Sequence, residues 1–151
     1  SSNYRMSEIT AVIGHDQCQR LDEFIEDRQR VAQEYTRQLE GGLDLVLPPG
    51  RCSWYKYIAL LPRGVSQETV RTELKARGVS LAGGVYDIPV HQQPVFLARG
   101  GIPPLPLAEE YCPRHICLPI FYGITDLQVN HVVSSLREVL ESLRPTAAPQ
   151  A

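Results

Sequence analysis

Apolar residues in the first quarter of the chain recur at three- and four-residue steps: Ile9, Val12, Ile13, Leu21, Phe24, Ile25, Val31, Ala32, Tyr35 and Leu39. Residues so spaced share one face of a helix. The pattern predicts a long helix from Met6 to Leu39, with Gly14 a place where it can bend and Gly41-Gly42 the flexible residues past its end. The period then changes. Residues 43–47 form a short strand candidate, Pro48-Pro49-Gly50 a turn, and residues 54–61, rich in aromatic and branched side chains, a second strand stopped by Pro62. Ser66 is placed to cap a helix over residues 67–77, with Val70 and Leu74 facing inward and Gly78 as its stop.

Residues 79–88 read as another strand, in whose middle Gly83-Gly84 should bulge the backbone or admit something close to it. Residues 89–106 are proline-rich and irregular, and a loop of that length inside a domain is often functional. A short helix over residues 107–111 is cut by Pro113, and residues 116–118 supply a further core strand. Thr125-x-x-Gln128 is a capping box opening a helix whose stripe Val129, Val132, Val133, Leu136, Leu140 and Leu143 ends at Arg144-Pro145. The tail, residues 146–151, is expected to be disordered. The sum is an α+β fold, an α/β sandwich in which a small sheet of about three strands packs with helices and is preceded by a long helix. Such architectures host many activities, so function has to come from sites.

A chain of 151 residues can bury one core. A net charge of -2 with scattered Lys and Arg argues against a nucleic-acid partner. No apolar run approaches the roughly 20 residues that span a bilayer, and the polar start, Ser1 to Arg5, lacks the apolar segment of a secretory signal. We therefore expect no membrane association and a cytoplasmic location. Cys18, Cys52, Cys112 and Cys117 form no C-x-x-C pair and fit reduced thiols. Cys112, His115 and Cys117 offer three soft ligands, but a structural zinc site wants a fourth. No metal is expected.

Three places carry candidate chemistry. Asn3 and Arg5 precede the first helix, where an amide donor, a guanidinium and free backbone N–H groups can meet a phosphate; the alternative is an exposed cap and a solvated arginine. His91 sits in Pro89-Val90-His91-Gln92-Gln93-Pro94, a stiff polar loop; the alternative is that the prolines shape a connection while His91 and Gln93 bond nearby backbone. Lys56, among Trp54, Tyr55 and Tyr57, has surroundings that can depress an amine pKa and favour an imine; the alternative is plain alternation on a half-buried strand.

Asn3-Tyr4-Arg5-Met6, Ser53-Trp54-Tyr55-Lys56-Tyr57, Pro89-x-His91-x-Gln93-Pro94-x-Phe96, Leu118-Pro119-Ile120 and Thr125-Asp126 together resemble the DegT/StrS family of sugar aminotransferases, which use pyridoxal phosphate. The resemblance implies the small domain of fold-type I pyridoxal phosphate enzymes. Asn3 and Arg5 would bind the cofactor phosphate, Asn3 by reaching across a homodimer, and Tyr86 and His91 would lie by the nucleotide-sugar entrance. In that family the lysine holding the cofactor precedes the Asn-x-Arg-Met segment, and only two residues do so here. Lys56 then belongs to the sheet and Lys75 to a helix surface, and no catalytic residue is expected in this chain. The implied organisation is a connecting helix over residues 1–41, a C-terminal small domain over 42–145, and the tail.

Such a chain would not transaminate alone. With the large domain, in cis or in trans, and a dimer partner, it would help move an amino group, from glutamate, onto a keto-sugar nucleotide. Gly83-Gly84 and Cys112-Pro113 depart from the family pattern. The rival reading is a stand-alone, non-catalytic module that binds a ligand or partner through the surface a large domain would cover, with Ile9, Val12 and Ile13 bare on the first helix.

Overall fold

The apolar stripe of the first quarter does form helix, but as two rods. In the computed structural model, which describes residues 5–100 and 103–143, α1 spans Glu8–Gln19 and α2 spans Leu21–Leu39. The break falls at Arg20 (φ -97°, ψ 4°) and not at Gly14, which stays inside α1. At the break, the Arg20 guanidinium lies 4.8 Å from the Phe24 ring centroid and 5.8 Å from that of Tyr122, and it pairs with Glu23 at 3.3 Å. These contacts fix the first turn of α2 against the loop before the last helix. Among the described residues α1 buries no side chain, and every residue from 5 to 23 is exposed.

Packing starts further along α2, where Val31, Ala32, Tyr35 and Leu39 are buried. Gly41, at φ 79°, then turns the chain into β1 (Asp44–Val46). β1 pairs antiparallel with β2 (Tyr57–Leu60), Val46 opposite Ile58, and β2 pairs antiparallel with β3 (His115–Leu118). The sheet order is β1-β2-β3. The second strand is shorter than its composition suggests, because the Pro48-Pro49 segment facing its start has no N–H to extend the ladder. Trp54 instead adopts φ 48° and turns its ring onto Tyr57, centroids 5.7 Å apart, while its indole N–H donates to Gln29 Oε1 at 2.7 Å.

Ser66 accepts the Thr69 N–H and opens α3 (Gln67–Ala76), which stops at Gly78 (φ 77°). The strand expected over residues 79–88 does not form. Among the described residues it is reduced to one bridge, Ala82 opposite Cys117, after which Gly83-Gly84 lead the chain off the sheet. The next stretch holds, among the described residues, a 3-10 turn (Val90–Gln92), α4 (Pro94–Leu97) and α5 (Pro106–Tyr111). Thr125 and Gln128 make the expected capping box at the start of α6 (Asp126–Ser142). Residues 146–151 lie outside the described residues.

The result is the α+β fold read from the pattern. One face of the sheet, through Tyr57, Ala59, Ile116 and Leu118, packs on α2, α3 and α6 in one buried cluster. Within it the Tyr35 hydroxyl donates to the Pro119 carbonyl at 2.9 Å. Thr36 gives its hydroxyl proton to the Ala32 carbonyl, so the Tyr57 hydroxyl, 2.9 Å from Thr36 Oγ1, is the donor in that pair. Burial pushes the Tyr35 and Tyr57 phenols up in pKa, which keeps both neutral donors. The other face of the sheet, with Ile58, Leu60, His115 and Cys117, meets the segment that left it at Gly83.

Candidate functional site

Alternation along a strand sends Val46, Ile58 and Leu60 to the face away from the helices. There, with Leu45, Leu47, Val85, Tyr86 and Tyr111, they line an open apolar groove of about 600 Å³. Cys112 and His115 close its end. Tyr86 lines it with 60% of its surface exposed, and a tyrosine so placed can offer a ligand both an apolar ring and a hydroxyl.

Two buried histidines hold the segment that carries Tyr86. His115, on β3, has both ring nitrogens engaged: Nε2 accepts the Val85 N–H at 2.8 Å, so Nδ1 carries the proton and donates to the Cys112 carbonyl at 2.7 Å. Gly84 is what lets this happen. A Cβ there would stand 3.0 Å from His115 Nε2 and run into the Asp87 carboxylate. The sequence points to a close approach at Gly83-Gly84, and the approaching group is this imidazole.

His91, on the 3-10 turn, is 5% exposed and has its Nε2 2.8 Å from Glu109 Oε1, on α5. Glu109 also accepts the Leu105 N–H at 3.2 Å. The His91 hydrogen bond, then that N–H, hold the Glu109 carboxyl below the usual carboxylate range. Gln93 donates to the Ile88 carbonyl at 3.2 Å. The segment is thus pinned at Val85 and at His91, with Tyr86 between. Nδ1 of His91 is buried without a hydrogen-bond partner among the described residues.

The structure therefore puts Tyr86 and His91 on one segment, the tyrosine outward and the histidine inward. Arg5 lies on a different element, exposed, two residues before Ser7, which caps α1 by accepting the Thr10 N–H. Asn3 lies outside the described residues. Glu109 was not singled out from the sequence. Its only signal is that a buried histidine needs a partner, and the partner is 18 positions away. Cys117 sits under the same segment, its thiol pushed up in pKa by burial.

Pyridoxal phosphate chemistry requires a held amine for the imine and an acid for the ring nitrogen. The described residues do not offer that set. Lys75 is exposed on α3, and the partly exposed Lys56 donates to the Gly83 carbonyl beside the Tyr55 ring. Among the described residues no cluster of His, Cys, Asp and Glu is placed to hold a metal, and no helix is long and apolar enough to cross a membrane.

The described residues form an α+β domain, a helix-backed three-stranded antiparallel sheet with an irregular segment across its open face. The chain superposes on PseC, the Helicobacter pylori aminotransferase involved in pseudoaminic acid biosynthesis, with a TM-score of 0.87 at 21% identity, over 95% of this chain and 40% of that one. It superposes on DesV of S. venezuelae, solved with a ketimine intermediate, with a TM-score of 0.81 at 27% identity, over 93% of this chain and 38% of that one. The chain belongs to the DegT/DnrJ/EryC1/StrS aminotransferase family, whose pattern it matches over residues 1–137. It is 30% identical to the UDP-N-acetyl-3-dehydro-alpha-D-glucosamine 3-aminotransferase of Acidithiobacillus ferrooxidans, over 91% of this chain and 37% of that protein. It is 28% identical to the dTDP-4-dehydro-2,3,6-trideoxy-D-glucose 4-aminotransferase of Saccharopolyspora spinosa, over 89% of this chain and 35% of that protein. The chain thus spans little more than a third of the curated relatives it matches.

Proposed function

We propose that this chain is the C-terminal portion of a pyridoxal phosphate-dependent sugar aminotransferase that moves an amino group, from glutamate, onto a keto-sugar nucleotide in the cytoplasm. The observation that carries this is the family match over residues 1–137 to proteins of more than twice this length. On this reading the catalytic lysine belongs to the large domain, and the isolated chain is inactive. In the homodimer, Asn3 and Arg5 face the cofactor phosphate, Asn3 that of the neighbouring subunit. The Tyr86–His91 segment borders the nucleotide-sugar entrance, with Tyr86 making the ligand contact. The bare side chains of Ile9 and Val12, 76% and 70% exposed, support a covered surface on α1.

The test is reconstitution. The chain joined to, or mixed with, its large domain should bind pyridoxal phosphate and aminate a keto-sugar nucleotide with glutamate as donor, while the chain alone should do neither. In the assembled enzyme Asn3→Ala should weaken cofactor retention by about 1.5–3 kcal/mol, the scale of a hydrogen bond to a charged group. If reconstitution yields no cofactor spectrum and no amination, the stand-alone binding module becomes the better account.

A further inference from the structure

We infer that His115 is a positioning residue for substrate recognition: its imidazole holds the peptide next to Tyr86 and so sets the tyrosine over the apolar groove. This rests on the reading of the Tyr86 segment as the border of the nucleotide-sugar entrance.

The argument starts with a register. His115 lies opposite Leu60 on β2, on the sheet face away from the helices. A histidine there, 7% exposed, would be costly to bury unless both nitrogens were bonded. Both are, and the two partners are the informative part. The Cys112 carbonyl, three residues back, fixes the ring and its tautomer locally. The Val85 N–H, 30 residues away in sequence, belongs to the segment that has just left the sheet at Gly83-Gly84. Ala82 makes the last ladder contact, its N–H donating to the Cys117 carbonyl at 3.1 Å. Three residues on, past Gly83-Gly84, the imidazole takes the Val85 N–H, which also bears on the Cys117 thiol.

The ring also fills the space at Gly84, where a Cβ would stand 3.0 Å from Nε2 and 3.3 Å from Cε1. Glycine and histidine are therefore complementary: the first removes a side chain so that the second can reach the backbone. With both nitrogens occupied and the ring buried, His115 has no free atom for a ligand or a proton transfer. Its effect has to pass through the backbone it grips, and Tyr86 is the next residue. Downstream, the His91–Glu109 pair holds the other end of the same short stretch. Tyr86 is thus fixed from both sides while its own side chain stays open.

The experiment uses the assembled full-length enzyme for kinetics and this chain for amide exchange. His115→Leu should raise KM for the keto-sugar nucleotide about tenfold, the scale of one hydrogen bond, with kcat and the KM for glutamate unchanged. His115→Gln, whose Oε1 can accept the Val85 N–H, should recover most of that loss. Tyr86→Ala should raise the same KM, and the double variant His115→Leu with Tyr86→Ala should be no worse than Tyr86→Ala alone. Exchange at Val85 and Tyr86 should quicken at least tenfold in His115→Leu while the β2 and β3 amides keep their protection.

Unchanged exchange at Val85, an unchanged sugar-nucleotide KM in His115→Leu, or effects of the two single variants that multiply in the double variant would each overturn the proposal. A KM untouched by Tyr86→Ala, with faster exchange in His115→Leu, would mean that the grip is real but that the segment does not face the nucleotide sugar. That result sinks the underlying reading and the recognition role together. If His115→Leu does not fold, His115→Asn takes its place with the same outcomes, since it keeps a donor for Cys112 and is too short to reach Val85.

Discussion

Nε2 of His91 stands 2.8 Å from Oε1 of Glu109, tying the 3-10 turn to α5. The bond gives the segment an acid sensitivity whose sign is fixed. The folded chain holds the Glu109 carboxyl below its ordinary pKa, chiefly through His91 and then through the Leu105 N–H. Stability from the carboxylate is therefore complete above the ordinary carboxylate pKa and is lost as pH falls through the lowered folded value. Glu109→Gln should lower the melting temperature at neutral pH, and the gap from wild type should close below about pH 4. Thermal unfolding of both proteins across that range checks it. A gap that does not change with pH would mean that the charge on Glu109 contributes nothing.

Gly83 and Gly84 are neighbours with opposite tolerances. A Cβ on Gly83 meets nothing within 4 Å, whereas one on Gly84 meets the Asp87 carboxylate and the His115 ring. Gly83→Ala should change stability by no more than about 0.5 kcal/mol. Gly84→Ala should cost about 1–3 kcal/mol, the usual range for overpacking. Urea denaturation of the two variants gives the comparison directly. Equal costs would mean that the ring is not held against Gly84 in solution.

Much of the architecture was legible because it rests on local rules. The Thr125–Gln128 capping box, the Ser66 cap, the stop at Gly78 and the stripe of α6 each need only a few neighbouring residues, and each is where the pattern puts it. The strand expected over residues 79–88 failed because strand pairing is decided by the partner. β3 offers one bridge at Ala82, the chain then leaves at Gly83-Gly84, and the Val85 N–H goes to the His115 ring and not to a strand carbonyl. The helix break followed Arg20 and not Gly14, because packing near Phe24 and Tyr122, the latter nearly 100 residues on, decides where the rod can turn. At the site, His91 was visible as a residue in a stiff loop and Tyr86 only through the family resemblance, and their opposite orientations were not visible at all. Burial of His91 depends on Glu109, which no spacing rule connects to it.

The Tyr35 hydroxyl links α2 to the end of β3 through the Pro119 carbonyl, inside a buried cluster. Tyr35→Phe keeps the ring and its contact with Tyr57, whose centroid is 5.1 Å away. It removes one neutral hydrogen bond and should cost about 0.5–1.5 kcal/mol with an unchanged denaturant slope. Tyr35→Ala should cost about 3–5 kcal/mol, because it also opens a cavity between α2 and the sheet. Urea midpoints separate the two contributions. If both variants cost the same, the ring is not packed as described.

The last prediction concerns α1, which buries no residue, although Ile9, Val12 and Ile13 are apolar and spaced for a single face. Twelve residues that bury no side chain among the described residues, held by their own backbone bonds, the Ser7 cap and a Gln19–His15 side-chain bond, make a marginal helix in water. In the isolated chain, amides of α1 should exchange with little protection, while those of Val31, Ala32, Tyr35 and Leu39 should exchange only through global unfolding. Joining the large domain or forming the dimer should slow exchange across α1 if that apolar face is the covered one. Ile9→Glu with Ile13→Glu should then abolish the slowing without changing the unfolding midpoint of the isolated chain, since neither side chain contributes to the core. Strong protection of α1 in the dilute isolated chain would contradict this, as would assembly that leaves α1 unprotected, and the face would then need another explanation.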